Sequence, residues 1–411
     1  MESFCESIKK KGGNSPLFSC AKCGACAVVC PVFRVSGKES HTARGKLHLI
    51  ETLGLAESSK VFVDIFSACL LCGACSAVCS RKIDITKELV AARNTFSSLA
   101  GPHAYEKYIT RKLLDYPGGL TGFRVLGRTG EKLLGDRLPG NSGLRKRLAL
   151  FRGEFPVEAF EEQPRQVAPD AKRLTWFPGC ASRYLFPEIL ASCRSLLADV
   201  SVSLDIPEGL SCCGLADWAA GDREGAENNS LKNIEALEAT EGAILVSCAS
   251  CFAHLKKYPD LFAENTDLRI RAERVAARVV ELSDFLEGLG EQKQYKDDEK
   301  SRQLRVFYHD PCHMRHEPAT TDKAREQLQR VPGIQIVELA DGPRCCGQGG
   351  LFNVAHPEIS ANIIDQLVQD VLALGPDVVT STCSGCLMQW KQGLAAAGSK
   401  VQVLHLAQLL K

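Results

Sequence analysis

The chain has 411 residues, 45% of them hydrophobic and 24% charged, with 20 cysteines and a formal net charge of +1 from 50 Lys+Arg against 49 Asp+Glu. That length implies two or three domains, the composition excludes a disordered or collagen-like chain, and the near-neutral balance offers no general field for nucleic acid or acidic polymers. The opening Met1-Glu2-Ser3-Phe4-Cys5-Glu6 lacks the start of a secretory leader and no run approaches the ~18 apolar residues of a membrane span, so the expected location is cytoplasmic. There, clustered cysteines act as ligands rather than disulfides.

The first predicted elements are two matching cysteine runs, Cys20-x2-Cys23-x2-Cys26-x3-Cys30-Pro31 and Cys69-x2-Cys72-x2-Cys75-x3-Cys79. This is the spacing of bacterial ferredoxins: a tight loop sets three thiolates around one 4Fe-4S cluster and the fourth cysteine ligates the neighbouring cluster. The expected sets are therefore Cys20, Cys23, Cys26 and Cys79 for one cluster, and Cys69, Cys72, Cys75 and Cys30 for the other. Zinc is the competing reading, but zinc sites pair their ligands two and two, and four evenly spaced cysteines in repeated runs fit them poorly. Gly24 and Gly73 ease the backbone around each cluster. Ser80 stands where the first run has proline. Between the runs, a helix such as 46–55 makes the domain more helical than a minimal ferredoxin.

Residues 101–170 hold no cysteine and read as a connecting arm of short amphipathic helices, broken at Pro117-Gly118-Gly119 and Pro139-Gly140-Asn141. From Gly101 to Gly153 the arm carries 11 Lys+Arg against 4 Asp+Glu. It is either a solvated face or a docking surface for a partner or for anionic lipid.

Two cysteine-rich modules follow as an internal repeat. Leu174 to Cys180 matches Val306 to Cys312, Cys212-Cys213-Gly214 matches Cys345-Cys346-Gly347, and Ile244 to Cys248 matches Val378 to Cys383. Apolar strand-like runs end at cysteines, and helical spacing over 224–239 and 358–373 separates them. The expected fold is multidomain α+β: a helical two-cluster domain over 1–100, the arm over 101–170, and two α/β lobes over 171–287 and 304–411. Each lobe offers five thiols to one metal site: Cys180, Cys212, Cys213, Cys248 and Cys251 in the first, and Cys312, Cys345, Cys346, Cys383 and Cys386 in the second. Five is one more than a zinc ion or an ordinary cubane requires. Adjacent cysteines on an extended backbone point to opposite faces, so Gly214 and Gly347 are expected to turn both thiolates one way.

These modules resemble the cysteine-rich domain of the heterodisulfide reductase family. The whole arrangement, with Ala43-Arg44-Gly45-Lys46-Leu47-His48-Leu49-Ile50 between the runs, is similar to the glycolate oxidase iron-sulfur subunit family and to its D-lactate and anaerobic glycerol-3-phosphate dehydrogenase relatives. The resemblance implies an electron-transfer subunit. A separate FAD subunit would oxidise a 2-hydroxy acid, glycolate or D-lactate, and electrons would leave to a quinone or cytochrome, with possible contact at the cytoplasmic membrane face. It leaves open whether one or both five-cysteine sites hold non-cubane 4Fe-4S clusters or zinc, and it keeps as an alternative a catalytic subunit that reduces a disulfide at such a cluster. No strand-Gly-x-Gly-x-x-Gly-helix fingerprint occurs, so neither flavin nor nicotinamide is expected on this chain. No catalytic nucleophile is assigned. His309, His313 and His316 near Cys312 are expected to donate hydrogen bonds around the site, Asp310-Pro311 to shape a turn, Cys193 to be core, and Cys5 to be a tail thiol.

Overall fold

The computed structural model describes residues 20–53, 59–96, 101–135, 137–138, 142–151, 171–290, 303–316 and 323–410, so Cys5 and the 152–170 part of the arm lie outside the described residues. The chain divides into two compact units. One takes the residues up to Arg111 with Leu215–Ala226 and Arg344–Ile363; the other takes Lys112–Gly214, Glu227–Pro343 and Ile364–Lys411.

In the first unit the two cysteine runs dictate the local structure. Among the described residues up to Arg93 the α-helices are α1 (Ala25–Val28), α2 (Pro31–Ser36), α3 (Ala43–Leu53), α4 (Lys60–Ser67), α5 (Ala74–Ala77) and α6 (Ile85–Arg93). Gly24 (φ 86°) caps α1 and Gly73 (φ 78°) caps α5 in the left-handed region. Lys22 and Leu71, each just before the second cysteine of its run, are left-handed too. Outside glycine that conformation costs roughly 1–2 kcal/mol per residue and persists only where the surroundings impose it. After Cys30, Pro31 starts α2 at once, because its fixed φ and missing N–H suit the first helical position. After Cys79, where Ser80 replaces proline, the chain makes a turn instead and the next helix waits until Ile85. Leu47 and Ile50 on α3, Phe62 and Phe66 on α4 and Leu89 on α6 form the core. Arg344–Ile363 joins this unit through Phe352 and Ile363, which pack with Val32 and Leu70. Leu215–Ala226 joins through Ala219, whose carbonyl accepts from Arg93, and through the pairing of Arg111 with Asp217 and Asp222.

The second unit contains two four-stranded parallel sheets with the same topology. Strands β1 (Lys172–Phe177), β2 (Val202–Asp205), β3 (Ile244–Val246) and β4 (Val279–Glu281) run in the order β2-β1-β3-β4. Strands β5 (Leu304–Tyr308), β6 (Ile334–Val337), β7 (Val378–Ser381) and β8 (Gln402–His405) run β6-β5-β7-β8. Trp176 sits opposite Leu245 in one sheet and Phe307 opposite Val379 in the other. The central strands β3 and β7 are buried along their whole length, as strands covered by helices on both faces must be. Repeated topology on repeated sequence establishes the pair of α/β lobes.

In the arm the break expected at Pro117-Gly118-Gly119 falls at Tyr116, between helices Ala104–Asp115 and Pro117–Leu134, and Pro117 stands in the first turn of the second helix; Pro139-Gly140-Asn141 lies outside the described residues. The glycines of Pro117–Leu134 admit a neighbour: a Cβ on Gly127 would lie 2.2 Å from the Phe151 ring, and one on Gly130 would lie 3.1 Å from Leu148.

Candidate metal centres

The second cysteine run closes around a cavity lined by Cys69, Cys72 and Cys75 together with Cys30 from the first run, and by His41 and Lys46. Three ligands from one run and the last from the other is the exchange expected from the spacing, and an apolar, thiol-walled cavity suits a 4Fe-4S cluster. Burial pushes up the Cys30 thiol, pushes Cys75 up to about 12 and Cys72 well above its ordinary value. Thiols so placed resist ionising alone and need a positive centre to hold them as thiolates. The amides of Phe33 and Leu71 donate to Cys30 Sγ and Cys69 Sγ, each at 3.4 Å.

The other set is closer to solvent. Cys20, Cys26 and Cys79 pack against the core of Leu47, Ile83 and Leu89, while Cys23 is exposed. Burial raises the Cys26 thiol, opposed by the Arg44 backbone N–H. The Arg44 side chain is tied to the Glu39 carboxylate at 2.7 Å.

Two residues that the motif reading gave no role stand beside the buried set. Lys46 is fully buried, its Nζ donating to the carbonyls of His41 (2.5 Å) and Ala68 (3.2 Å). Burial pulls its pKa down, and the Cys69 and Cys30 sulfurs push it back up. Arg93, also buried, donates to the carbonyls of Phe66 (3.0 Å), Ser67 (3.1 Å) and Cys69 (2.7 Å). The signal was present in the sequence: Lys46 falls on the apolar face of α3 with Ala43, Leu47 and Ile50, and Arg93 on that of α6 with Leu89. A cation at a core position of a helix requires a reason.

The first five-cysteine set gathers just beyond β1 and β3, at the carboxyl ends of parallel strands, where open α/β sheets place their ligands. Cys212, Cys213, Cys248 and Cys251 are buried and Cys180 partly so. Gly214 is left-handed (φ 88°), and both members of the Cys-Cys pair reach the set. Cys180 Sγ lies 3.9 Å from Cys212 Sγ, and Cys251 is hydrogen-bonded to Cys213 and Cys248. Accepting from Cys180 and Cys213 holds Cys212 well below an ordinary thiol pKa, and accepting from Cys251 and Cys383 does the same for Cys248. Their donors Cys180 and Cys251 are correspondingly raised. A buried nest of five cysteine sulfurs, with a cradle at Gly179 where a Cβ would stand 2.9 Å from Cys251 Sγ, is a donor set for a soft metal or an iron-sulfur cluster. Asn233 and Tyr258, invisible to motif reading, fix its backbone: Asn233 Nδ2 donates to the Cys212 carbonyl (2.8 Å) and Tyr258 Oη to the Cys213 carbonyl (2.9 Å).

Of the second five, Cys312, Cys383 and Cys386 belong to the second unit, and Cys345 and Cys346 to the first. In the second unit, Cys383 is pushed up to about 12, first by its hydrogen bond to Cys248, so sulfurs of the two lobes touch. The backbone joins there as well, Ala249 N–H donating to the Thr382 carbonyl at 3.0 Å. Ser250 Oγ lies 3.1 Å from Cys383 Sγ and 3.1 Å from His313 Nδ1, linking that histidine to the thiol. His309 is buried against Trp390, His316 accepts from Arg315, and Asp310 is held by both Arg325 Nη atoms at 2.6 Å. In the first unit, Cys345 packs with Cys30 and Cys72 around Val32 and Leu70. Gly347 and Gly349 are left-handed, and a Cβ on Gly349 would lie 2.5 Å from Leu70. Cys193 lies outside these sets, buried in the helix Pro187–Ala198.

Two family models match the chain. A cysteine-rich domain matches residues 174–256 and 306–391, and a 4Fe-4S dicluster domain matches residues 16–83. Among curated proteins the chain is 27% identical over 433 residues to the probable glycolate oxidase iron-sulfur subunit of Bacillus subtilis (strain 168), covering 100% of this chain and 97% of that protein. It is 23% identical to the glycolate oxidase iron-sulfur subunit of Escherichia coli (strain K12), with the same coverage. It is 31% identical over 242 residues to lactate utilization protein A 2 of Bacillus cereus (strain AH820), covering 58% of this chain and 97% of that protein.

Proposed function

The chain belongs to the glycolate oxidase iron-sulfur subunit family, and from that premise we propose that it is the electron-transfer subunit of a flavin-dependent 2-hydroxy-acid dehydrogenase. A separate FAD subunit takes the hydride from glycolate or D-lactate, and a quinone or cytochrome is the final acceptor. The observation that carries the reading is the cavity where Cys30 of one run joins Cys69, Cys72 and Cys75 of the other, the ligand exchange of two-cluster ferredoxins. When bound, the clusters supply reversible one-electron chemistry, which links a two-electron hydride donor to one-electron carriers.

The chain's own residues bind and shield. Cys20, Cys23, Cys26 and Cys79 hold one 4Fe-4S cluster, and Cys30, Cys69, Cys72 and Cys75 the other. The cysteine spacing assigns Cys180, Cys212, Cys213, Cys248 and Cys251 to a third site and Cys312, Cys345, Cys346, Cys383 and Cys386 to a fourth, each for a non-cubane 4Fe-4S cluster or zinc. Phe33 and Leu71 amides donate to ligand sulfurs, and the buried Leu70, Leu71 and Val32 wall the cavity of the Cys30, Cys69, Cys72 and Cys75 set.

Docking on the cytoplasmic membrane face is part of the proposal. Helix Pro117–Leu134 exposes Val125, Leu126 and Leu133 and carries Arg124, Arg128 and Lys132, an apolar and basic pairing that suits anionic lipid. No helix among the described residues is long and apolar enough to cross a membrane. The test of function is anaerobic mixing of the purified chain with its flavin subunit and glycolate or D-lactate, read as the EPR signal of reduced clusters. A signal that needs both flavin subunit and hydroxy acid supports the reading. Disulfide reduction by the isolated chain, with no reduction by the flavin subunit, overturns it.

A further inference from the structure

The two ferredoxin-type sets differ in what surrounds them. Cys20, Cys23, Cys26 and Cys79 include an exposed thiol, and the nearby cation Arg44 is spent on Glu39. Cys30, Cys69, Cys72 and Cys75 line a cavity with Lys46 on its wall, and Arg93 grips the carbonyl of Cys69 itself. Among the described residues the hydrogen-bond acceptors of these two buried cations are backbone carbonyls, and neither has a carboxylate partner. Such a pair is costly to bury unless negative charge lies close by, and the thiolates with their cluster are that charge.

Burial alone would make the inner cluster harder to reduce, because reduction adds a negative charge in a poorly solvated place. Two cationic side chains in the same low-dielectric region act the other way, and they act more strongly there than surface charges screened by water. We propose that Lys46 and Arg93 are potential-setting residues, which lift the cluster at Cys30, Cys69, Cys72 and Cys75 above the cluster at Cys20, Cys23, Cys26 and Cys79. The consequence is a direction. One electron given up by the outer cluster is gained by the inner one, with no bond or proton transferred, and it arrives beside Cys345, which packs with Cys72 and Cys30. This inference rests on the ligand assignment above.

The test is an EPR-monitored redox titration of the full chain, with the outer signal assigned by Cys23→Ser. In the unaltered protein the inner cluster titrates at the higher potential; the reverse order overturns the inference. Lys46→Met and Arg93→Met each make the inner cluster about tenfold harder to reduce, a drop of ~59 mV for one electron, while Lys46→Arg and Arg93→Lys, which keep the charge, leave it within threefold. Should a methionine variant lose its cluster, the unaltered order and the charge-keeping pair still decide: an inner potential that falls equally in Arg93→Lys shows that packing and not charge sets it. Failure of the ligand assignment looks different, as zinc or missing iron at the runs before any titration begins.

Discussion

Replacing Gly179 with alanine probes the first five-cysteine set without touching a sulfur. Gly179 has φ +78°, a conformation that costs an L-residue roughly 1–2 kcal/mol. The added Cβ would stand 2.9 Å from Cys251 Sγ, inside the ~3.5–4.0 Å at which non-bonded heavy atoms rest. Cys251 must therefore retreat by about 0.5 Å or more, the tolerance within which metal-ligating groups have to be held, and its contacts with Cys213 and Cys248 open. Gly242→Ala is the control, because Gly242 has φ +72° with nothing within 4 Å of its Cβ. Both variants lower the urea midpoint by the backbone cost, but only Gly179→Ala loses about four irons per chain, with the ferredoxin-type EPR signals retained. Full iron in Gly179→Ala, or equal loss in Gly242→Ala, would refute the idea that this cradle shapes a cluster site.

Other outcomes follow from the same packing. Asn233→Ala strands the Ser211 N–H and leaves the Cys212 carbonyl only its bond from Ser211 Oγ (3.2 Å), and should cost about 1–3 kcal/mol in urea unfolding; an unchanged midpoint would show that these bonds do not hold the Cys-Cys backbone. Burial lifts Glu281 from 4.5 to about 7, so the folded state prefers the neutral acid: its contribution is whole below pH 4.5 and is lost as pH rises through about 7, roughly 3 kcal/mol in all. Glu281→Gln should flatten the pH dependence of unfolding free energy between about 4.5 and 7, and an unchanged slope would contradict the assignment. Changing Arg124, Arg128 and Lys132 together to glutamine should weaken binding to vesicles containing anionic lipid roughly 100-fold at ~1 kcal/mol per charge; equal sedimentation of both proteins removes the membrane-docking role.

Much of this architecture is readable because cysteine spacing is a chemical constraint. The helix expected over 46–55 is Ala43–Leu53, those expected over 224–239 and 358–373 are Arg223–Glu238 and Pro357–Ala373, and each strand-like run ahead of a cysteine is a strand. What spacing does not reveal depends on the third dimension. The left-handed Lys22 and Leu71 look ordinary in sequence, since only wrapping around a cluster imposes that conformation. Asn233 and Tyr258 support the Cys-Cys pair from helices far along the chain. Pro117 marks the helix break to within one residue but not its side, since proline ends a helix from its interior and starts one at its first turn. The grouping of Cys345 and Cys346 with the ferredoxin-type unit follows from Gly349 and Phe352 packing around Leu70, a contact no repeat comparison contains.

The most direct measurement is iron, acid-labile sulfide and zinc per chain on anaerobically purified protein, with EPR of the oxidised and reduced forms. Two ferredoxin-type clusters and two five-cysteine clusters predict about 16 irons with matching sulfide and two interacting reduced signals. About 8 irons with zinc in the remaining sites would confine electron transfer to the two cysteine runs, and zinc in place of iron at the runs themselves would contradict the account at its centre.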